Sequence, residues 1–275
     1  MKLEFTGERL LTSVHNDNTV KHLHRYALAL EIIKHKTVLD IASGEGYGSY
    51  LMSRNAKFVY GVDIDREIVT FATKKYAHKN LQFLEGSTSA IPLEDNSVDM
   101  VVSFETLEHH DQHDEMMTEI KRVLKTDGTL LISTPDKHYY SDLRNYQNQF
   151  HVKELYKQQF VDLVDKYFNN HRLLSQSFIN GNSIIIEDKK RRDFEFYSGN
   201  FTEVKTIDSD PHFLIAQCSN SELKLLKDSI FDGKELIDSN FIENQLKIVY
   251  NSNSYKLGDF ILKPLKVVKK FWRRK

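Results

Sequence analysis

The sequence predicts an α/β protein built on a doubly wound, mostly parallel sheet. Two observations carry this. Short apolar runs alternate with amphipathic segments through the first half of the chain, joined by short connections. The runs are apolar at successive positions rather than at every second one, so helices must cover both faces of the sheet. A chain of 275 residues accommodates one such domain and an extension.

Taken in order, residues 1–36 are polar and histidine-bearing, turning helical from His24 to Ile33. Thr37–Ala42 (TVLDIA) is a buried strand ending in an acid, and Gly44–Gly48 break it. Tyr47–Arg54 is a helix, Phe58–Val62 a second strand, Glu67–Tyr76 a second helix, and Leu81–Leu84 a third strand. Val98–Phe104 is the fourth. Asp114–Leu124 carries Met116, Met117, Ile120, Val123 and Leu124 near helical spacing, and Gly128 follows as a stop. Thr129–Ser133 is the fifth strand. A helix over Val152–Tyr167 leads to candidate strands at Arg172–Phe178 and His212–Cys218, which make seven. The charged stretch 187–211 between them reads as an insertion, a β-arm. Residues 221–250 look helical, with Leu223, Leu225, Leu226, Ile230 and Phe231 as the apolar face.

Composition narrows the class. No run of about 18 apolar residues exists, the start has no apolar core of a signal peptide, and Cys218 is the single cysteine. There is no disulfide within the chain and no cysteine zinc site, and a cytoplasmic location is expected. The net charge of −1 is unevenly spread: residues 260–275 hold seven bases and no acid, leaving 31 bases against 39 acids elsewhere. An acidic body is a poor partner for a nucleic-acid backbone.

The sharpest local signal is Val38-Leu39-Asp40-Ile41-Ala42-Ser43-Gly44-Glu45-Gly46-Tyr47-Gly48, where a strand turns into a helix. Glycines there let backbone approach a ligand at a helix N-terminus. The second is Asp63, in Gly61-Val62-Asp63-Ile64-Asp65 at the end of strand two, placed to accept from both hydroxyls of a ribose. Asp65 is the better cap for the following helix. A dinucleotide fingerprint would need its third glycine at position 49, which is Ser49. The pattern is instead G-x-G-x-G preceded by Asp40, a carboxylate that suits a ligand ammonium. S-adenosylmethionine (SAM) has both an ammonium and a ribose.

At this point the sequence resembles the class I SAM-dependent methyltransferases over about residues 5–220. Ala42 stands at the motif's first glycine. The resemblance implies a Rossmann-like, seven-stranded sheet with an antiparallel last strand, a methyltransferase domain over 1–220, and a helical extension with a basic amphipathic tail over 221–275. It puts the cofactor against Ala42, Gly44, Gly46, Asp63, Ile64 and Phe104. Gly86-Ser87-Thr88-Ser89-Ala90-Ile91-Pro92 is similar to the family's G-D-A-x-x-L-P, with Ser87 at the aspartate, so Ser87 and Thr88 join the cofactor set. Arg122-Val123-Leu124-Lys125 with Gly128 matches R-x-L-K-x-x-G. More narrowly, Phe5-Thr6-Gly7-Glu8-Arg9, His22-Leu23-His24-Arg25-Tyr26 and Phe150-His151-Val152-Lys153-Glu154-Leu155 resemble methyltransferases of bacterial surface-polysaccharide gene clusters, whose acceptors are sugars or glycolipids.

Methyl transfer displaces a neutral thioether, so the leaving group needs no acid. The nucleophile must be aligned, and a sugar hydroxyl must also lose its proton to a base. In Phe104-Glu105-Thr106-Leu107-Glu108-His109-His110, Glu105 and His109 share one face if the segment is helical. His109 is the expected base and Glu105 its partner. Two alternatives stand beside this: packing of His109 under the cofactor with Glu105 as a cap, and a cation held by Glu105, Glu108 and His109, although no metal is expected. Arg25 is either a fork onto the methionine carboxylate or a surface ion pair. His138, Tyr139 and His151 are candidates to face the acceptor, with packing or capping as the other reading. No N-P-P-Y-type sequence follows strand four, which speaks against amino-methylation of nucleic acid.

Three functions are compatible. One is O-methylation of a saccharide or small polar acceptor. Another is methylation of a quinone precursor, an amine or a protein. The last is SAM binding without turnover. In the basic end, Pro264 opens a helix with Ile261, Leu265, Val268 and Trp272 near one face and basic residues around the rest. It suits either the surface of an anionic bilayer or packing back on the acidic body.

Overall fold

The structure, a computed structural model, describes residues 9–257, leaving aside the side chains of residues 192 and 238–245. Helix α1 (Asp17–Leu30) begins at Asn16, whose side chain accepts from the amides of Asn18 and Thr19 while the Thr19 hydroxyl accepts from the Asn16 amide. This capping box satisfies donors that a helix start leaves without partners. β1 (Thr37–Ile41), α2 (Tyr47–Ser53), β2 (Phe58–Asp63), α3 (Arg66–Lys75) and β3 (Leu81–Glu85) follow, then β4 (Val98–Phe104), α4 (His113–Val123) and β5 (Leu124–Pro135). The rest comprises α5 (Lys157–Tyr167), β6 (Asn170–Ile179), β7 (Asn182–Glu187), a hairpin of β8 (Phe196–Gly199) and β9 (Val204–Ile207), β10 (Phe213–Ser219) and β11 (Ser229–Phe231).

Nine strands form one sheet in the order β11-β7-β6-β10-β5-β4-β1-β2-β3. β3, β2, β1, β4 and β5 are mutually parallel, and β10 runs antiparallel between β5 and β6. Alternate residues of each apolar run point to opposite cores. Leu39, Ile41 and Val101 pack with Met116, Ile120 and Phe160 beneath α4 and α5. Val38, Met100 and Val102 pack with Leu28, Ala29 and Met52 beneath α1 and α2. Both faces are dry, which is why the strands read as continuous apolar segments.

Three expectations are corrected. The sheet has nine strands rather than seven, because β7 and β11 extend its far edge. Asn180 and Gly181, both at positive φ, close the two-residue turn that folds Ile184–Ile186 back onto β6. The helix expected over 221–250 spans only Lys234–Asn251 (α6), a unit by itself, while Ser229–Phe231 pairs with β7. The helix expected from Val152 starts at Lys157: the amides of Val152 and Lys153 both donate to the Glu108 carbonyl, at 2.7 and 3.1 Å, and hold the segment against the exit of β4. The basic end 260–275 and the Phe5–Glu8 stretch lie outside the described residues.

Candidate active site

A cavity of about 400 Å³ opens at the carboxyl ends of β1, β2 and β4, where ligands bind in open α/β sheets. Ala42, Gly44, Asp63, Ile64, Ser87, Thr88, Phe104, Glu105 and His109 all line it, so nine of the sequence-derived site residues converge there. Gly44 adopts φ +55°, and a Cβ built on it meets nothing within 4 Å, so its bare backbone faces open space. Asp63 is buried and held from two sides: Oδ2 accepts from the Gly44 amide at 2.8 Å and Oδ1 from the Asp65 amide at 3.0 Å. Each oxygen keeps a further lone pair for a ribose hydroxyl. Ile64 is 70 % exposed at the rim, an apolar face on which a flat ring fits.

Other expected cofactor residues serve the frame instead. Gly46 (φ +93°) does not line the cavity; a Cβ there would sit 2.7 Å from the Phe83 ring and 2.9 Å from Ala72 Cβ. Asp40 is buried behind the wall. It accepts from the Ser49 hydroxyl at 2.6 Å and from Tyr26 at 3.4 Å, which corrects its assignment to an ammonium. Burial pushes its carboxyl up to about 7. Ala42, at φ +59°, holds a left-handed conformation that favours glycine. Arg25 is 1 % exposed: Nε donates to Gln176 at 2.8 Å and Nη2 lies 3.4 Å from Glu105. It is neither a surface ion pair nor part of the cavity lining.

The expected Glu105–His109 pair does not form. Glu105 leaves β4 at φ +56°, before a short 3₁₀ turn over Leu107–His109, so the two residues never share a helical face. Glu105 instead accepts from the Ser133 hydroxyl at 2.6 Å and faces Arg25. His109 is oriented by a residue 41 positions away: Nδ1 donates to the Phe150 carbonyl at 3.0 Å. That bond selects the tautomer with the lone pair on Nε2. Glu108 is buried, and burial with the Glu105 charge holds its carboxyl well above the usual range. Glu108, His109 and His151 each bring one ligand atom within 4.8 Å of the others, so this trio, without Glu105, is where a cation would fit.

His151 lies edge-on to His109 at 5.3 Å between ring centres and stacks on Tyr140 at 5.4 Å. It is held by Glu154 at 2.5 Å and Asn148 at 2.9 Å. His138 and Tyr139 sit in a short π-helical turn after β5, edge-on to each other and outside the cavity. Sequence reasoning missed the segment that walls the cavity from the N-terminal side: Arg9, Leu10, Asn16, Asn18 and His22. Glu45, between the two glycines, anchors that segment by accepting from the Thr12 amide at 2.6 Å, and Lys75 pairs with the same carboxylate. Arg9 reaches Asp63 at 3.7 Å and Asp65 at 3.3 Å. An acid in the middle of a glycine loop was the available signal. His110 and Gln112 complete the lining.

Residues 39–132 match the family described as a methyltransferase domain. A probable SAM-dependent methyltransferase of Mycolicibacterium smegmatis is 31 % identical over 59 % of this chain and 64 % of its own length, so the chain spans less than two thirds of that relative. The methyltransferase YcgJ of Bacillus subtilis is 28 % identical over 42 % of this chain and 50 % of its own. The YcgJ crystal structure superposes over 73 % of this chain and all of its own, with a TM-score of 0.51 at 18 % identity. A SAM-dependent methyltransferase of Thermotoga maritima covers 74 % and 91 %, at 0.53 and 16 %. Structural likeness at such identities speaks for the fold, and the sequence matches speak for the domain. Over residues 39–132 the chain matches a methyltransferase domain, on a Rossmann-like α/β fold that solved methyltransferases share, and the match implies S-adenosylmethionine as the cofactor.

Proposed function

We propose that the protein is an O-methyltransferase acting on a hydroxyl of a polar, saccharide-like acceptor. The observation that carries this reading is the state of His109, which lines the cofactor cavity with Nδ1 committed to the Phe150 carbonyl. Its Nε2 is the atom that accepts a proton. SAM supplies an electrophilic methyl group, and Gly44, Asp63, Ile64, Ser87 and Thr88 would hold it. A hydroxyl oxygen becomes a competent nucleophile when a base takes its proton at or near the transition state. His109 takes that proton at Nε2, and the Phe150 carbonyl stabilises the charged imidazole that results. Glu105, fixed by Ser133 and Arg25, shapes the floor without touching the base.

The acceptor class rests on the aromatic character of the region beyond His109, where His151 and Tyr140 stack, and on the resemblance of the 150–155 segment to methyltransferases of surface-polysaccharide gene clusters. The proposal extends to the basic end: residues 260–275 would bring the protein to an anionic membrane surface where a glycolipid acceptor resides. No helix of the described residues is long and apolar enough to cross a membrane.

The test is transfer of labelled methyl from SAM into fractionated extract. Label in the carbohydrate or glycolipid fraction is the expected result. Label confined to quinone or protein fractions would refute the acceptor class, and SAM binding with no transfer to any fraction would refute turnover. Sedimentation of full-length protein and of a 1–259 truncation with anionic vesicles tests the tail, and equal pelleting of the two would exclude it.

A further inference from the structure

Next to His109, and outside the cofactor cavity, an aromatic row runs along the carboxyl ends of the strands. His109 meets His151, His151 stacks on Tyr140 with 22° between planes, and Tyr140 meets Phe213 at 5.6 Å. Phe213 opens β10 opposite Pro135, the last residue of β5. Cations gather along this row. The Lys21 ammonium lies 5.3 Å from the centre of the Phe213 ring and 5.4 Å from that of Phe178. The Arg25 guanidinium lies 4.6 Å from Phe213, and the Arg144 guanidinium sits 5.7 Å from Tyr140 and 5.2 Å from Tyr146.

The charges do not balance. Among the described residues, the carboxylate within ion-pair distance of any of the three cations is Glu105, which Arg25 takes. Asp17 lies in the neighbourhood of Lys21 without pairing with it. Arg25 keeps Nη1 buried with no hydrogen-bond partner, though its residue is 1 % exposed. The orphaned Arg25 donor is buried and costly unless an anion completes it. Lys21 is half-buried and Arg144 exposed, where an arriving anion can reach them. Such an arrangement is built for a negative charge that arrives from outside, and it stands against a body that is acidic overall.

We propose that the acceptor carries a phosphate group, bound between Lys21 and Arg144, while its polar ring meets the half-buried Tyr140 and His151 on the way to His109. This rests on the methyl-transfer reading of the same site and narrows its substrate class. Two flexible cations and the Arg25 donor behind them match a dianionic phosphate better than a single carboxylate. Phe213 is buried and forms the floor beneath Lys21 and Arg25, so a sugar ring meets the half-buried edges of Tyr140 and His151. Burial and the charges of Arg25 and Arg144 also depress Lys21, to about 8, and a bound phosphate would reverse that shift.

The experiment is calorimetry of the full-length protein saturated with S-adenosylhomocysteine. It is titrated with glucose 1-phosphate, glucuronate and glucose, and repeated with Lys21→Met and Arg144→Met. Glucose 1-phosphate is expected to bind at least about tenfold more tightly than either of the others. Each variant is expected to lose about tenfold of that affinity with the Kd for SAM unchanged. Arg144 is solvent-exposed, so its variant keeps the fold even if Lys21→Met does not. Equal binding of glucose and glucose 1-phosphate would overturn the proposal, as would glucuronate binding as tightly as the phosphate, or a preference that survives in the Arg144 variant. Because the readout is binding, it stands apart from turnover. A phosphate preference without methyl transfer would overturn the enzymatic reading alone, and transfer to neutral sugars only would overturn this one alone.

Discussion

The cofactor half of the site and the aromatic row beside it are held together in different ways. In the cofactor half, Gly44, Asp63 and Asp65 lie within about twenty residues of one another and are joined by backbone-to-carboxylate hydrogen bonds of 2.8 and 3.0 Å. In the other half, His109, Tyr140, His151 and Phe213 come from four separate segments and meet through ring contacts at 5.3–5.6 Å. One is a rigid cradle written into a single βαβ unit. The other is a tertiary assembly whose ring contacts tolerate exchange of side chains. A fixed cofactor calls for the first kind of construction, and a site that must change with its ligand would be served by the second.

If the halves are separable, damage to one leaves the other intact. The largest effect is expected from His109→Ala, which should lower turnover by ~10²–10⁴ with the Kd for SAM kept. Turnover within a few-fold of the native protein would remove His109 as the base. Activity abolished by a chelator and restored by a divalent cation would instead give the Glu108–His109–His151 trio a metal role.

Gly46→Ala tests the frame of the cradle. It combines a strained φ with a Cβ pressed 2.7 Å from Phe83, and should cost about 2–4 kcal/mol of stability. Gly44→Ala meets no neighbouring atom, so its damage should fall on SAM affinity beyond the backbone strain. Thermal unfolding and calorimetry of the pair separate the two roles, and identical profiles would refute the division.

Asp63→Ala should weaken SAM by roughly 1–3 kcal/mol, through the loss of an acceptor for buried hydroxyls, while the affinity for glucose 1-phosphate holds. Unchanged SAM affinity by calorimetry would displace the ribose from Asp63.

Asp40 gives a pH signature that belongs to the cradle alone. Its folded carboxyl is raised to about 7 from the usual 3.8, so the native state binds the extra proton. Its contribution to stability is complete below the unfolded value and is lost as pH rises through 7. Between pH 6 and 8 the native protein should lose about 1 kcal/mol more than Asp40→Asn, read by denaturant unfolding at both pH values. Parallel curves for the two proteins would show that Asp40 is ionised throughout.

The smallest effect concerns Ala42→Gly. Relief of the left-handed strain exceeds the entropy that glycine adds to the unfolded chain by about 0.5–1 kcal/mol, a rise of ~1–3 °C in Tm. A lower Tm would mean that the methyl group of Ala42 contributes packing.

The parts of the molecule that were legible are those governed by short-range rules. Strands β1–β5 announce themselves as apolar runs because each is buried on both faces. The glycine loop and Asp63 lie on adjoining ends of β1 and β2, so their spacing already implies proximity. Ser229–Phe231 was misread because Leu223, Leu226 and Ile230 fit helical spacing, whereas pairing with the open edge of β7 prevails over local pattern. The edge itself was readable in one place: Asn180-Gly181 is the hairpin signal that precedes β7.

By itself, then, the sequence determined the sheet's core and picked out Gly44, Asp63 and His109, which line one cavity. Periodicity, turn chemistry and the reactivity of side-chain types are properties of neighbouring residues. Only the tertiary structure decided which partner orients His109, since the Phe150 carbonyl lies 41 residues away and replaces the nearby Glu105. Only it turned Asp40 and Arg25 inward, and only it gathered Lys21 and Arg144 along an aromatic row. Those contacts depend on where β5 and β10 end relative to α1, and no local pattern encodes a distance between elements that chain closure alone brings together.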